Sequence, residues 1–420
     1  MLRGGSLFYA LAITVIMGLV SAALLLSAHY TRLQLQRDEI REEISRNSMS
    51  GLQILLNGPF YNKDSYTGDI DLFGDGTDSV FLQLKSWGAF EIAISRAHNK
   101  SFVHQRIAAA GWKSDEADRT ALILADLDRP LSITGETKLS GDCYLPKAGI
   151  QRAYIEGQNY SGDKMVYGNI KTSDRFLPAY NDSLAKRIML LFAFRPGAND
   201  SIIPLEEFEQ TDSISNSFLN KTLYVFSERN IPVTQKIIGQ VCIISATSIR
   251  VSKNSEIHHA LLIAPRIEIE EESEGDFQAF ARDSLIVEKK ARLHYPTVLG
   301  IVATKRSPDV AALLLGEKVK LYGQLFACTI ETDFRKHVLI ATAKESLVYG
   351  EIYSSDLVDH KGMVFGAVTC AKFELKTASA EYENHLMNAV IDRPKRSADY
   401  VSSALTRKRS DRKNIVQWLH

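Results

Sequence analysis

The stretch SIRVSKNSEIHHALLIAPRIEIEEESEGDFQAFARDSLIVEKKARLHYPTVLG, residues 248–300, decides how the chain is read. Within it an apolar pair recurs every eighteen residues: Ile249 and Val251, Ile267 and Ile269, Leu285 and Val287. The two members of each pair are two residues apart, which in an extended chain puts both side chains on one face. A second apolar group follows each pair, at Leu262 and Ile263, then Phe280 and Ala281, then Val298. Self-similarity at a short fixed period marks a stacked array, and this period suits one coil of a β-helix. The expected fold is therefore mainly β, a single-chain β-helix (β-solenoid) with coils of about 18 residues.

Glycines carry the pattern outward. Gly135 and Gly141 are six residues apart, and Gly162 and Gly168 repeat that spacing, as coil corners require where the backbone turns sharply. A motif of apolar, aromatic, glycine, any residue, apolar occurs at Val166-Tyr167-Gly168-Asn169-Ile170, Leu321-Tyr322-Gly323-Gln324-Leu325, Val348-Tyr349-Gly350-Glu351-Ile352 and Val364-Phe365-Gly366-Ala367-Val368. These signals assign residues 125–172 and 239–394 to the solenoid, roughly eleven coils and about 50 Å of stack at the usual strand separation. Residues 173–238 are expected as an insertion with helices, which covers early coils or faces a partner. Asn181-Asp182 suits the N-cap of a helix running through Leu184, Ile188, Leu191 and Phe192 and ending before Pro196-Gly197.

Leu7 to Leu26, LFYALAITVIMGLVSAALLL, is twenty residues without a charge, enough helix to cross the roughly 30 Å hydrocarbon layer. The pattern continues without a breaker to about Asn57, with Leu33, Leu35, Ile40, Ile44, Leu52, Ile54 and Leu55 separated by charges from Arg37 to Glu43. Residues 1–58 are thus expected as a transmembrane anchor and a continuing amphipathic helix, retained rather than cleaved, with the lipid bilayer as its partner through residues 7–26. This amino terminus resembles those of prepilin-like proteins, in which a short basic leader precedes an apolar helix that continues into a soluble domain. Arg3-Gly4-Gly5 stands where that leader would end, whereas Ser6 to Ala12 lacks the acidic residue of the pattern. The resemblance covers about the first 58 residues and implies a body outside the cytoplasmic membrane. Arg32, Arg37, Arg41 and Arg46, which follow the apolar run, favour a cytoplasmic body by the positive-inside rule.

Gly58-Pro59 ends the helix, and residues 59–124 are expected as a small α+β region with a strand at Val80 to Leu84. In pilin-like proteins a small sheet packs on the emerging helix, and this region suits that role. Asp69, Asp71, Asp75 and Asp78 around Gly74 and Gly76 do not have EF-hand spacing and read as a solvated turn. Residues 395–420 form a basic tail, with Lys395, Arg396, Arg407, Lys408, Arg409, Arg412 and Lys413, whose apolar end Ile415 to Leu419 is expected to dock as a cap on the solenoid end.

Composition narrows the function. The 420 residues suffice for two or more domains, and 50 basic against 50 acidic residues give no electrostatic case for nucleic acid. Cys143, Cys242, Cys328 and Cys370 lie too far apart for a zinc site and are expected as buried thiols. β-Helix enzymes acting on polysaccharide need grouped carboxylates, and the densest acidic run is Glu268, Glu270, Glu271, Glu272, Glu274 and Asp276. Its alternation with Ile267 and Ile269 reads as an outward strand face and a solvated corner. His258, His259 and His294 are histidines of the kind hexapeptide acyltransferases use, without the hexapeptide pattern. No catalytic, cofactor-binding or metal-ligating residue is assigned, and no cofactor is expected. The short glycine-containing coils are also similar to those of the bactofilins, bacterial polymer-forming β-helix proteins, over about half of the chain. The expected protein is a non-enzymatic, single-pass protein of the bacterial inner membrane. It is structural or pilin-like, with an extracytoplasmic solenoid that contacts other envelope proteins or its own copies. A cytoplasmic, membrane-tethered scaffold of bactofilin type and a polysaccharide-active enzyme are the alternatives.

Overall fold

A computed structural model describes residues 5–60, 65–74, 79–99, 102–115, 117–198, 200–330, 336–406 and 411–419. The chain is mainly β and opens with one long apolar helix. It divides into two compact units: Met1–Leu84 with Ala93–Ile107, and Lys85–Ile92 with Ala108–His420.

The first unit is built on helix α1, Gly5–Asn57, whose 53 residues make it about 80 Å long. Gly58 closes it by donating its N–H to the Ile54 carbonyl at 2.9 Å, and Pro59 has no N–H with which to continue. The last turns bury Ile44, Ser48, Gly51, Leu52, Leu55 and Leu56, a stripe at helical spacing. A Cβ at Gly51 would strike Ser95, Leu82 and Val80, so the helix and the sheet beneath it meet backbone to side chain. That sheet begins with β1 (Tyr66–Asp71) and β2 (Ser79–Trp87), antiparallel from Tyr66 opposite Leu84 to Asp71 opposite Ser79. It continues through β3 (Phe90–Asn99) and β4 (Phe102–Lys113). Val80, Leu82 and Leu84 alternate inward, as the sequence pattern requires. Among the described residues the region 59–124 holds strands and no helix of its own. Its final strand, β5 (Thr120–Leu124), belongs to the second unit's pairings. Ala108–Lys113 of β4 belongs to the second unit, where Arg412–Leu419 adds itself beside it. The tail is therefore an edge strand of this sheet and not a cap on stacked coils. Its Lys413 ammonium is buried 2.5 Å from the Glu91 carboxylate and over the Trp112 ring.

The second unit is a largely parallel set of strand pairings that closes into a barrel. The eighteen-residue repeat is directly visible in it. Ile249 pairs with Ile267 and Ile267 with Leu285, while Val251, Ile269 and Val287 form the adjacent column. The same column continues through Leu313, Ile340 and Val358, with longer steps where loops leave the stack. All of these side chains are buried and belong to one apolar cluster. The second apolar group is displaced from its expected alignment: Leu262 faces Ala279, Ile263 faces Phe280, and Val298 faces Gln278. Register shifts cause this, after His258 between the first two strands and after Gly275 between the next two, because each irregularity changes the count between columns.

Two features of chain order differ from the sequence reading. The expected insertion 173–238 contains α2 (Asp182–Leu191), capped as anticipated by the Asn181 side chain accepting the Leu184 N–H at 3.1 Å. From Ser201 onward, however, its strands are members of the parallel set, since Ser201–Ile203 pairs with Leu223–Ser227 and Ile231–Val233 with Ser248–Val251. Helix α3 (Leu205–Gln210) lays Leu205 and Phe208 into the apolar cluster at that end. The expected solenoid is not identified, since the pairings close into a barrel, and the segment 125–172 does not precede residue 239 in the parallel set. Instead β5 pairs with the Met363–Lys376 strand, through Val368 opposite Leu122 and Thr369 opposite Ile123, and Asp142–Leu145 then pairs with β5. The amino-terminal strands thus lie beyond the last carboxy-terminal ones.

His360 closes the Leu347–His360 strand fully inside this unit. Its Nδ1 lies 2.7 Å from the Thr342 hydroxyl and its Nε2 lies 3.2 Å from the Val390 carbonyl, which uses both nitrogens of a neutral ring. Burial lowers its pKa from 6.5 to about 4, the Val390 carbonyl opposing slightly. The unfolded chain therefore takes up this proton first as pH falls. The contribution to stability is complete above pH 6.5 and is lost toward pH 4, about 3 kcal/mol in all. Denaturant unfolding of the wild type and His360→Gln between these pH values should show the steeper pH slope in the wild type. Equal slopes would show that the ring is not held neutral by burial.

Candidate functional site

Two features of the chain have functional chemistry, and each lies within one unit. The first is the amino-terminal part of α1. An eighteen-residue window there has a mean hydropathy of 2.4, and none of it is buried. Leu7, Met17 and Leu25 are 74%, 64% and 72% exposed. Each such side chain left in water forgoes roughly 1.5–3 kcal/mol of burial energy, so an apolar surround is the environment this surface fits. Arg3 and Gly4 of the leader-like residues lie outside the described residues.

The acidic run singled out in the sequence is a set of cross-strand ion pairs. Glu271 faces Lys289 at 3.2 Å, Glu272 faces Lys290 at 2.8 Å and Glu274 faces Arg292 at 3.6 Å, each pair eighteen residues apart. Glu268 and Glu270 both reach Arg250. These carboxylates are neutralised along an exposed corner and do not converge. Asp276 turns inward, where His258 Nδ1 and His259 Nδ1 both meet its carboxylate, the latter at 2.9 Å. The backbone of His259 has φ near +63° and its carbonyl accepts from the Trp87 indole at 2.8 Å, so the histidine pair is fixed by a bulge. His294 is exposed and follows Leu293, which pairs with Gly275 beside Asp276. Asp71 accepts the Phe73 and Gly74 N–H groups in a turn, Asp69 is exposed, and Asp75, Gly76 and Asp78 lie outside the described residues. Among the described residues no group of three His, Cys, Asp or Glu side chains could hold a metal ion. The four cysteines are buried and free.

The second feature is a cleft of about 280 Å³ in the second unit. Two of the four glycine motifs contribute to its lining, through Glu351, Ile352 and Ala367. Gly323, Gly350 and Gly366 stack in register, with Tyr322, Tyr349 and Phe365 beside them and Gln324, Glu351 and Ala367 on the other side. Gly350 has φ near +148°, and a Cβ there would run into the Gly323 carbonyl oxygen, so only glycine fits. The fourth motif lies elsewhere, with Gly168 packed on Gly141. Across the stacked glycines runs the segment 393–406, whose Tyr400 hydroxyl donates to the Gly323 carbonyl at 3.0 Å. The step from Gln324 and Glu351 to the small Ala367 leaves the space that forms the cleft.

Its walls carry charged side chains. Arg396, with a side chain 5% exposed, pairs with Glu351 and lies over the Tyr400 ring at 4.8 Å. Glu351 also accepts the Ser402 hydroxyl at 2.8 Å and the Thr406 hydroxyl at 3.3 Å. The Arg396 Nε–H is buried without an acceptor. Arg393 donates from Nη2 to the Asp118 carbonyl at 2.8 Å. Burial pushes its pKa below the ordinary value, and the neighbouring Arg396 adds to this while Asp118 and Glu351 oppose it. Burial also raises Tyr400 well above the usual phenol range, with Glu351 adding to it. Sequence reasoning missed this cluster. Arg396 was counted in a basic tail, and Glu351 stood at the variable position of a motif valued for its glycine. The visible signal was that position itself, polar in three copies and alanine in the fourth.

Breaking a buried pair strands the remaining charge, whereas replacing both members by apolar residues does not. Arg396→Leu should therefore destabilise the protein by about 3 kcal/mol in denaturant unfolding, and Glu351→Leu/Arg396→Leu should recover most of that loss. Additive losses would mean that the two groups are not coupled.

No family model and no curated protein matches the sequence. Among solved structures, the competence-associated pilin ComZ from Thermus thermophilus is similar over 84% of this chain and 86% of its own, at 10% identity and a TM-score of 0.25. A likeness at that score carries no argument about fold or function.

Proposed function

We propose that the protein is a single-pass envelope protein of the bacterial inner membrane, anchored by residues 7–26, that presents a β-solenoid for protein–protein contact in a structural, pilin-like and non-enzymatic role. The observation that carries the reading is α1, whose apolar part is wholly exposed while its last turns are packed on a sheet. A helix so divided belongs to two solvents. In this reading the parallel columns at eighteen-residue spacing are the coils of the solenoid, with other envelope proteins or further copies as partners. Helix α3 at one end of the columns supports a body of finite length over an open-ended polymer. A scaffold tethered to the inner face is the second reading, favoured by the four arginines between Arg32 and Arg46.

The test is a pair of carboxy-terminal fusions, to alkaline phosphatase and to a fluorescent protein active only in the cytoplasm, with membrane fractionation of each. The expected result is an active phosphatase, a dark fluorescent fusion, and release to the soluble fraction when residues 5–30 are deleted. A bright fluorescent fusion without phosphatase activity would replace the envelope reading by the inner-face scaffold. Recovery of the intact chain in the soluble fraction would overturn both.

A further inference from the structure

We propose that one outward face of the parallel set is a contact between two copies of this chain, packed face to face about a two-fold axis that runs along the stack of strands. The face is two columns wide. One column is Arg292, Lys320, Leu347, Met363, Val390 and Lys138, paired strand to strand in that order. The other is Tyr322, Tyr349 and Phe365, two residues further along three of the same strands. Leu321, Val348 and Val364, which lie between the columns in sequence, are fully buried, so both columns point away from the core. The Tyr322 and Tyr349 rings are parallel with centroids 4.7 Å apart, and Phe365 meets Tyr349 edge-on at 5.0 Å. Leu347, Met363 and Val390 lie beside these rings and, like them, are half-buried. A contiguous apolar patch of this kind on a sheet face marks an interaction site.

Charge decides the occupant. The cations around the apolar centre are largely compensated: Arg292 lies 3.6 Å from Glu274, while Lys138 and Lys395 share Asp392 at 3.9 and 3.8 Å. Lys395 also lies over the Phe365 ring at 4.5 Å. Such a rim draws an anionic bilayer or an acidic protein weakly, whereas a second copy matches it. A two-fold axis along the stack sets each column of one copy against the other column of the second, layer on layer. Lys320 then meets Tyr322, Leu347 meets Tyr349 and Met363 meets Phe365, so a cation, an aliphatic chain and a thioether each face a ring. An axis across the stack would instead set Arg292 against Lys138, like charge on like. The proposal names the partner for the protein–protein contact of the reading above and rests on that reading to this extent; every residue it uses lies in the second unit.

The test is sedimentation equilibrium of the full-length protein in detergent micelles, with circular-dichroism melting recorded for every variant. The wild type should be a reversible dimer. Tyr349→Glu and Leu347→Glu, which place a carboxylate at outward positions of the face, should each weaken the dimer at least about tenfold with the melting temperature retained. Lys320→Gln, which removes the cation opposite Tyr322, should weaken it about two- to fivefold. A monomeric wild type would overturn the proposal. So would a dimer that both glutamate variants leave as tight as the wild type, because association would then lie elsewhere, α1 included. Neither result bears on the anchor, which the fusions and the fractionation test separately.

Discussion

A parallel strand has two edges, and each edge carries N–H and C=O groups that must find partners. This constraint organises the second unit. The Met363–Lys376 strand would present such an edge to water, and β5 takes it, with Thr369 opposite Ile123 and Cys370 opposite Leu124. Asp142–Leu145 then pairs with β5, and Ile170–Thr172 with Asp142–Leu145. At the other extreme α3 lays Leu205 and Phe208 over the apolar columns. The amino-terminal strands thus provide for the carboxy-terminal ones what a separate cap would otherwise provide.

The same constraint explains where the polar chemistry sits. Strands held in parallel register place equivalent positions directly over one another, so any property of a position becomes a column. Apolar positions make the core column from Ile249 to Val358, and charged corners make the pairs from Glu271–Lys289 to Glu274–Arg292. Glycine positions make a column close enough that the segment 393–406 can lie against it and donate to its carbonyls. The cleft exists because one member of the neighbouring column, Ala367, is too small to continue it. Its arginines are held by hydrogen bonds and a buried ion pair, which makes the cluster a matter of position more than of stability.

Much of this was legible in the residues. The uncharged run from Leu7 to Leu26 and the unbroken pattern to Asn57 gave the helix, and Gly58-Pro59 gave its end. The columns of Ile249, Ile267 and Leu285 were readable because an inward position in a parallel stack must be apolar in every layer. The charge pairs were equally readable, since Glu271, Glu272 and Glu274 stand eighteen residues before Lys289, Lys290 and Arg292. The order of stacking was not legible. Periodicity reports that layers are alike, and layers that are alike do not say which lies on which. For that reason β5 read as part of a separate region and 201–233 as an insertion, although both pair within the parallel set. The tail misled for a related reason: the apolar Ile415 to Leu419 needs cover, and the edge of β4 provides it as well as a coil end would. The cluster of Glu351, Arg393 and Arg396 joins positions more than forty residues apart, and no local spacing announces it.

The central claim is the pairing of an amino-terminal strand with a carboxy-terminal one, and disulfide trapping tests it most directly. Ile123→Cys and Thr369→Cys occupy opposed positions on one face, and Arg250→Cys with Glu268→Cys gives a pair within the uninterrupted repeat as a control. Mild oxidation of the full-length protein should link both pairs at comparable rates, read as a mobility shift on non-reducing gels. A control pair that links while Ile123→Cys/Thr369→Cys stays reduced would contradict the account, because β5 would then lie elsewhere and the carboxy-terminal edge would be open.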